Sequence, residues 1–488
     1  MSFAETKPVE PPAYGPADHG VRPEPVSYLN PLPRVWEDLR SERAARVAYP
    51  PGDTHLSLAR SQRMAHDPLP VLLDAYERYG SVFSLRLLYL KTVFMLGPEA
   101  NHYITVSHPH NFRWREGGFG DLIPLLGDGL LTIDGGYHDR ARRIMLPAFH
   151  REQVEAAVET MAAEGEAAIA TLEPGAIVDV YAWARGLAMR IAMRALVGLD
   201  PDDGGRGSAA AEHFERALGF YGTDYHLRIL RGPGSPWRRL IESRAVLDQI
   251  VHDEISRRRS DQRSERLDIL SLLLEARDAD DSALSAQEVR DQLMTLIFAG
   301  HDTSTSTLSF MLHELARNPR VLALLHSEQD RVLGGAVPTP AQLERELPYL
   351  EMVLDEVLRL YPPAWIGPRR AVRDFEFEGQ TVPAGAHVNY CSWASHRLPA
   401  VFADPDAFIP ERFTREGKAA LPRGAYVPFG AGSRICIGKR FGQTEVKLIA
   451  TMLLQRLRLE QLPGHRMTIR QMPTLSPEGG LPMRVAGR

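Results

Sequence analysis

Cys436 is the residue of this chain whose type and setting most clearly indicate chemistry. It lies in the glycine-rich segment at residues 429–438, and Arg434 stands two residues before it. A helix-like run follows from Lys439, so the sulfur is expected beside the unpaired N–H groups of a turn and a helix N-terminus, which favour negative charge. A thiolate in such a place is a good soft ligand for iron.

Two other interpretations of this segment compete with a metal ligand. A lone cysteine is commonly a small buried apolar residue, and the glycines could belong to a dinucleotide-binding loop. The second interpretation fits poorly, because Ile435 stands where G-x-G-x-x-G needs its third glycine and the residues before the segment do not form a convincing strand.

A long helix is predicted to carry a second set of residues that could take part in a reaction. A capping box at residues 285–288 starts a helical pattern that Pro319 ends. Gly300, Asp302 and Thr303 lie in its middle, although glycine costs about 1 kcal/mol in a helix interior and a buried acid needs a partner. Such exceptions cluster at functional sites, but a polar kink, or hydroxyls bonding back to carbonyls four residues earlier, would produce the same pattern.

The spacing Phe-x-x-Gly-x-Arg-x-Cys-x-Gly at residues 429–438 resembles the haem-binding loop of the cytochrome P450 family. Three more motifs match that family in its order: Ala-Gly-x-Asp-Thr at 299–303, Glu-x-x-Arg at 356–359 and Pro-Glu-Arg-Phe at 410–413. One such motif is weak evidence, but the ordered set is highly specific and extends the resemblance over nearly the whole chain.

The resemblance implies the cytochrome P450 fold, which is mainly α-helical with small β-sheets. One large domain at residues 35–488, with a long central helix over the haem, is expected to follow a proline-rich flexible leader at residues 1–34. Strands are predicted from alternating patterns, including a hairpin formed by residues 79–87 and 91–97.

The resemblance also implies haem b, with the Cys436 thiolate as the proximal ligand of its iron. The two haem propionates need cations. The residues expected to contact the haem are Cys436, Phe429, Gly430, His138, Arg142, Arg369 and Arg434. His138 departs from a common variant of the family that has tryptophan there, but the hydrogen-bonding role survives the change.

Other residues take roles through the same motifs. Thr303 would hydrogen-bond dioxygen or a water, and Asp302 would relay protons inward, where the helix is expected to widen locally. A buried network of Glu356, Arg359 and Arg412 would support the cysteine loop without taking part in the chemistry.

The substrate pocket is expected to be apolar, so a lipophilic substrate such as a fatty acyl chain, terpenoid or steroid is predicted. Arg113 or Arg115 could bind a carboxylate. The pocket candidates by family position are Phe119, Leu122, Ile123, Phe298, Ala299, Trp365, Ile366 and Leu475.

Composition narrows the remaining function classes. A net charge of −5 gives no case for binding nucleic acid or an anionic membrane. The only two cysteines, Cys391 and Cys436, imply no disulfide framework. Residues 1–33 hold eight prolines and no apolar run that could span a bilayer, so a cytoplasmic, monomeric protein without a transmembrane anchor is expected.

These observations predict a haem-thiolate monooxygenase that hydroxylates or epoxidises its substrate with O₂. The chain ends about 50 residues after the cysteine loop, so electrons are expected from a separate ferredoxin or flavodoxin with its reductase. A basic docking patch is predicted at Lys439, Arg440, Lys447, Arg140 and Arg143. A haem-thiolate peroxygenase or isomerase and a non-enzymatic haem sensor remain as alternatives.

Overall fold

The computed structural model describes residues 31–260, 268–278 and 281–488. The α-helices are α1 (Pro31–Arg43), α2 (Leu58–His66), α3 (Pro68–Tyr79), α4 (Pro98–His102), α5 (Ile123–Leu126), α6 (Gly135–Met145), α7 (Arg151–Ile169), α8 (Val180–Ile191), α9 (Arg206–Leu218), α10 (Tyr225–Arg228), α11 (Pro236–Ser260), α12 (Ile269–Glu275), α13 (Ala286–Arg317), α14 (Pro319–Leu333), α15 (Pro340–Arg345), α16 (Pro348–Leu360), α17 (Ser392–Ser395), α18 (Arg415–Ala420) and α19 (Lys439–Leu454). The predicted mainly helical fold is confirmed.

The strands are short and form small sheets. They are β1 (Gly52–Asp53), β2 (Val82–Leu87), β3 (Leu90–Met95), β4 (Phe112–Arg113), β5 (Ile177–Asp179), β6 (Ile366–Ala371), β7 (Phe375–Phe377), β8 (Gln380–Val382), β9 (His387–Cys391), β10 (Leu457–Gln461), β11 (Ile469–Arg470), β12 (Ser476–Pro477) and β13 (Pro482–Gly487). The largest sheet has the order β1-β2-β3-β9-β6-β4, a second has the order β10-β13-β5, and β7-β8 and β11-β12 are two-stranded.

The predicted hairpin is confirmed, because β2 pairs with β3 in antiparallel register from Val82–Met95 to Leu87–Leu90. The sequence patterns did not indicate β6, which pairs with β4 on one side and β9 on the other. Its Pro368 is the reason, since proline cannot donate a hydrogen bond to a strand ladder and argues against a strand between two others.

The long central helix is α13, and it begins where the capping box predicts. The Ser285 side chain accepts from the Glu288 N–H, and the Glu288 side chain accepts from the Ser285 N–H. The helix runs for 32 residues to Arg317 and packs against α8, α11, α16 and α19, so it passes through the core of the molecule.

The beginning of the described chain differs from the expected leader. Residues 1–30 lie outside the described residues, but Pro31–Arg43 form α1, so the expected leader boundary at residue 34 falls inside a helix. Proline is well tolerated in the first turn of a helix, which is why Pro31 and Pro33 are poor evidence for an extended segment. No helix in the described ranges has both the length and the hydropathy needed to cross a bilayer.

Candidate active site

A cavity of about 1220 Å³ lies between the middle of α13, strand β6 and the cysteine loop. Most of the residues predicted for the site contribute to its wall. These are Cys436, Phe429, Gly430, His138, Arg142, Arg369, Arg434, Thr303, Phe119, Leu122, Phe298, Ala299, Trp365 and Ile366. The fold therefore brings together segments that are more than 300 residues apart in sequence.

Two of the predicted pocket residues do not lie on this wall. Leu475 is fully buried in the hydrophobic core, while the preceding Met472, Pro473 and Thr474 reach the cavity. Ile123 is the first residue of α5, and only its neighbour Leu122 lines the cavity. In each case a neighbouring residue lines the cavity instead, and a match to a family position does not determine which of two neighbours does so.

The loop around Cys436 is held in shape by its own backbone. The Cys436 N–H donates to the Phe429 carbonyl at 3.0 Å. Gly430 and Gly432 have φ values of +67° and +66°, a region that residues with a Cβ rarely adopt. A Cβ at Gly432 would also lie 2.1 Å from the Thr105 carbonyl oxygen, so this turn requires glycine on two grounds.

The Cys436 side chain is exposed, and it faces the cavity, whose wall it forms in part. Burial beneath the protein surface raises the pKa of the Cys436 thiol, while the Gly438 N–H, Arg142 and Lys439 act in the opposite direction. The groups expected to stabilise a thiolate are therefore present, but in the protein without a bound metal their effect on the pKa is smaller than that of burial. A bound metal cation would favour deprotonation of the sulfur.

Six arginines line the cavity against four carboxylates, and three of these arginines were predicted to bind the propionates. Arg434 donates to Asp134 at 2.9 Å. Arg369 hydrogen-bonds the Pro368 carbonyl and the Tyr390 side chain, and its guanidinium lies 3.6 Å from the centroid of the Trp114 ring. Arg142 has no hydrogen-bond or ion-pair partner among the described residues. Burial lowers the pKa of Arg369, and it lowers the pKa of Arg434 to about 10.

This donor set fits haem. A cavity with one cysteine sulfur, apolar and aromatic walls and an excess of guanidinium groups over carboxylates suits a flat apolar ligand that carries two carboxylates. His138 is also buried on this wall, and its Nδ1 lies 3.0 Å from Asp139 Oδ1. Burial lowers the pKa of His138, which favours the neutral ring.

Trp114 is a cavity residue that the sequence motifs did not indicate. The Trp114 ring stacks on the Phe119 ring with centroids 4.8 Å apart. The Arg434 guanidinium, which donates to Asp134, lies 4.9 Å from the centroid of the Trp114 ring. The backbone N–H of Trp114 donates to the Asp134 carboxylate. Trp114 directly follows β4 in the sequence, but nothing in the spacing of that segment indicates contacts with two arginines that are distant in the chain.

Thr303 lies on the cavity wall, and its hydroxyl donates to the Ala299 carbonyl at 2.6 Å. The expected local widening of the helix is not seen, because α13 is α-helical throughout residues 286–317. The alternative of a hydroxyl bonding back along the helix therefore describes Thr303 in this structure.

Asp302 does not contribute to the cavity wall, although it directly precedes Thr303 in the predicted motif. It is 2% exposed. One oxygen accepts from Arg185 Nη1 at 2.6 Å and the other from Thr474 Oγ1 at 2.9 Å. Thr474 does line the cavity, so its hydroxyl links the Asp302 carboxylate to that space.

The other side of Asp302 leads toward the surface. Arg185 also contacts Glu215 at 2.7 Å, and that carboxylate is 36% exposed. Although burial opposes the change, His301 and Arg185 lower the pKa of Glu215 to about 2. A continuous set of polar contacts thus runs from the protein surface through Glu215, Arg185 and Asp302 to Thr474.

The predicted Glu356, Arg359 and Arg412 network lies beside the cysteine loop. Glu356 and Arg359 are fully buried and joined by two hydrogen bonds of 2.7 and 2.8 Å, and Arg412 Nε lies 3.3 Å from Glu356. Arg359 also donates to the His396 carbonyl. The His396 ring in turn accepts from the Val427 N–H at 3.0 Å, which connects the network to the start of the cysteine loop.

The predicted docking patch is only partly exposed. Lys447 is buried and bonded to Glu351, Arg140 pairs with Glu288, Arg143 pairs with Asp278 and Arg440 pairs with Glu344. Lys439 is exposed and pairs with no carboxylate among the described residues; its ammonium lies 5.4 Å from the Phe429 ring centroid. A helical sequence near the cysteine does not reveal which of its cations are already neutralised.

Comparison with known proteins gives a consistent result. A family model described as Cytochrome P450 matches residues 53–481. The cyclooctat-9-en-7-ol 5-monooxygenase of Streptomyces melanosporofaciens is 35% identical over 433 residues, which cover 87% of this chain and 92% of that protein. The pentalenene oxygenase of Streptomyces avermitilis is 33% identical, over 68% of this chain and 74% of that protein.

A solved structure has the same fold. The retinoic acid-bound cyanobacterial CYP120A1 superposes with a TM-score of 0.80 at 28% sequence identity, covering 91% of this chain and all of that chain.

Proposed function

The chain belongs to the cytochrome P450 family and is a haem-thiolate monooxygenase, and we propose that its substrate is a terpenoid. Two of the similar proteins carry terpenoid substrates or products in their names, cyclooctat-9-en-7-ol and pentalenene. The observation that carries the proposal is that the arginines of the cavity region that could anchor a fatty acid are already engaged.

Arg115 was a candidate carboxylate anchor, but it is buried and donates to Asp128 and to the Thr132 carbonyl. Arg113 lies 3.7 Å from Glu116, and Arg228 on the same wall also has a partner. A carboxylate ligand would have to displace one of these contacts. The aromatic and aliphatic wall formed by Phe119, Phe298, Trp365 and their neighbours instead favours a neutral polycyclic hydrocarbon skeleton.

Haem bound to Cys436 supplies the activation of O₂. One oxygen atom enters a C–H bond of the substrate and the other leaves as water, which consumes two electrons and two protons. In the proposed assignment, Arg142, Arg369 and Arg434 hold the propionates. The apolar wall orients the substrate and excludes water from its reacting carbon.

Thr303 and Asp302 are proposed to manage protons at this site. The Thr303 hydroxyl is on the cavity wall, where it can accept from a water, or donate to a bound oxygen once it releases the Ala299 carbonyl. Asp302 is proposed to accept a proton from the surface side when its ion pair with Arg185 opens, and to pass it to the cavity through the Thr474 hydroxyl rather than directly from its own side chain.

If the substrate is a terpenoid, the protein should bind a polycyclic terpenoid in preference to a fatty acid, and a single substitution in the cavity wall should weaken that binding. Cyclooctat-9-en-7-ol is expected to shift the Soret band of the oxidised protein, whereas a fatty acid with the same number of carbons is not. Ala299→Leu adds three carbons to the wall one helical turn before Thr303. Overpacking of this kind costs about 1–3 kcal/mol, so we expect the Kd of the polycyclic compound to rise roughly 5- to 150-fold in a spectral titration.

Ile123→Val is the matched control, because Ile123 does not line the cavity. It should leave the Kd unchanged. Tighter binding of the fatty acid than of any terpenoid, with Ala299→Leu affecting both equally, would contradict the assignment of a polycyclic substrate while leaving the monooxygenase chemistry intact.

We further propose that an acidic ferredoxin or flavodoxin donates electrons at the surface next to the cysteine loop. Lys439 is the exposed cation there that pairs with no carboxylate among the described residues. Lys439→Glu is expected to slow reduction by the carrier several-fold at low salt and to weaken the dependence of that rate on ionic strength. Stopped-flow reduction over a salt series measures both.

Arg456→Glu serves as the control for Lys439→Glu. This residue lies beyond the opposite end of α19, so charge reversal there should not change the reduction rate. Equal rates for the wild-type protein and Lys439→Glu at low salt would refute docking at this surface.

A further inference from the structure

Met472 differs from the other methionines of the chain in both exposure and position. It is 43% exposed, and no other methionine in the described ranges is exposed. Nine methionines are at most 5% exposed: Met95, Met145, Met161, Met189, Met193, Met294, Met311, Met452 and Met483. Met472 is also the one methionine among the described residues that lines the large cavity.

The backbone on both sides of Met472 is fixed by hydrogen bonds. On one side, the Trp365 indole N–H donates to the Gln471 carbonyl at 2.9 Å. On the other side, the Leu475 N–H donates to the Pro363 carbonyl at 3.1 Å. These bonds hold the Met472 backbone at the cavity, while its unbranched thioether side chain can adopt several rotamers.

The same segment lies against the middle of α13. The Thr474 hydroxyl donates to Asp302 at 2.9 Å, and Asp302 directly precedes Thr303 in the chain. Met472 and Thr474 share the cavity wall with Thr303. The thioether therefore lies on the wall of the space in which the reacting carbon of a substrate has to be held.

A thioether readily accepts an oxygen atom, because its polarizable sulfur is converted to a sulfoxide. A substrate in the cavity competes for that oxygen, whereas an empty cavity leaves Met472 as the sulfur on the wall that is not assigned to the metal. We propose that Met472 accepts the oxygen atom when no substrate is bound, so that the enzyme oxidises its own cavity wall. The proposal rests on the monooxygenase chemistry of the family and not on the terpenoid assignment.

The reaction has the same balance as the oxidation of a substrate. One O₂, two electrons from the carrier and two protons are consumed. The O–O bond breaks, one oxygen atom forms an S–O bond to Met472, and the other leaves as water. The sulfur is oxidised from thioether to sulfoxide, no bond of the side chain breaks, and the side chain stays uncharged.

The modification should weaken the binding of substrate. A sulfoxide places a polar acceptor on a wall that Phe119, Phe298 and Trp365 make largely apolar, and a neutral ligand that covers this acceptor leaves it unpaired. Methionine sulfoxide reductases restore the thioether. Met472 is thus a reversible brake, since turnover without substrate lowers the affinity for substrate until the sulfoxide is reduced.

Peptide mapping locates the oxidation, and the chain supplies an internal control. Trypsin releases residues 471–484, a peptide that contains both Met472 and the buried Met483. After turnover of the holoprotein with a surrogate ferredoxin, its reductase and NADPH but no substrate, we expect this peptide to gain one oxygen atom at Met472 and none at Met483. With ¹⁸O₂, the added atom should carry the label.

Catalase distinguishes transfer within the cavity from attack by released peroxide. It should leave the oxidation of Met472 during turnover unchanged, but abolish any oxidation by hydrogen peroxide that is added without reductant. Loss of the Met472 sulfoxide with catalase, or equal oxidation of Met472, Met64 and Met467, would assign the reaction to peroxide in solution and overturn the proposal. An unmodified Met472 would also overturn it, while oxidation of a substrate by the same preparation would leave the monooxygenase assignment intact.

Binding provides a readout that does not depend on turnover. Met472→Gln places a polar amide where the sulfoxide would lie, so the Kd of 4-phenylimidazole, measured from the Soret shift, should rise about fivefold. Met472→Leu keeps the wall apolar and cannot form a sulfoxide, so its Kd should stay within about twofold of the wild-type value. The wild type after substrate-free turnover should resemble Met472→Gln, and methionine sulfoxide reductase should restore its Kd.

Met64→Leu is the control for this series. Met64 is partly buried on α2 and does not line the cavity, so Met64→Leu should lose affinity after substrate-free turnover as the wild type does, whereas Met472→Leu should not. The same loss in Met472→Leu would place the damage at another residue. Equal Kd values for the wild type and Met472→Gln would show that a polar group at this position is no brake.

Discussion

Replacing Cys436 with serine is expected to abolish the red-shifted Soret band of the reduced carbon monoxide complex. That shift is expected where a cysteine thiolate binds the haem iron, and Cys436 is the cysteine that lines the cavity among the described residues. A serine hydroxyl is a poor iron ligand at neutral pH, so the purified variant should also retain far less haem. The absorption spectrum of the reduced protein with carbon monoxide, together with the haem-to-protein ratio, measures both effects.

The chain contains its own control for this experiment. Cys391 is the only other cysteine, and it is fully buried in the core, where burial raises its pKa to about 12. Cys391→Ser should therefore leave the spectrum unchanged. A wild-type spectrum from Cys436→Ser would mean that the metal ligand has been misassigned.

The second large effect is expected from Arg359→Met. The change removes two hydrogen bonds to Glu356 and leaves that carboxylate fully buried, with Arg412 as its remaining cation. Breaking a buried ion pair from one side costs about 3–5 kcal/mol. Denaturant unfolding of the holoprotein should show a loss of this size, and haem retention should fall because Arg359 supports His396, which holds the cysteine loop at Val427.

Arg456→Met is a control with matched geometry. Arg456 forms an equally close two-pronged contact with Glu166, at 2.6 and 2.8 Å, but both side chains are about half exposed. An exposed pair contributes less than about 1 kcal/mol. Equal losses for Arg359→Met and Arg456→Met would remove the argument that burial makes the first pair important.

The sequence predicted the parts of the fold that have a local cause. The ends of α13 follow from a capping box and a proline, and the β2–β3 hairpin follows from alternation on either side of a short turn. Strand β6 was missed because Pro368 contradicts the local rule, and only its neighbours β4 and β9 make a strand there favourable.

The site was predicted in the same uneven way. Motif spacing identified the cavity residues Cys436, Arg434 and Thr303, because each is tied to its own short segment. The direction of the Asp302 carboxylate depends on Arg185, which lies 117 positions away, and the burial of Lys447 depends on Glu351. Such pairings are decided by tertiary packing, which spacing within one segment does not encode.

The group of cations on the cavity wall has a consequence for how the protein is made. A newly synthesised chain must bring Arg142, Arg369 and Arg434 together before any porphyrin neutralises them, so folding and pigment uptake are thermodynamically linked. A free haem concentration of a thousand times its Kd raises the free energy of unfolding by about 4 kcal/mol. Cells starved of iron should therefore accumulate less of this protein, because proteases remove the unloaded chain.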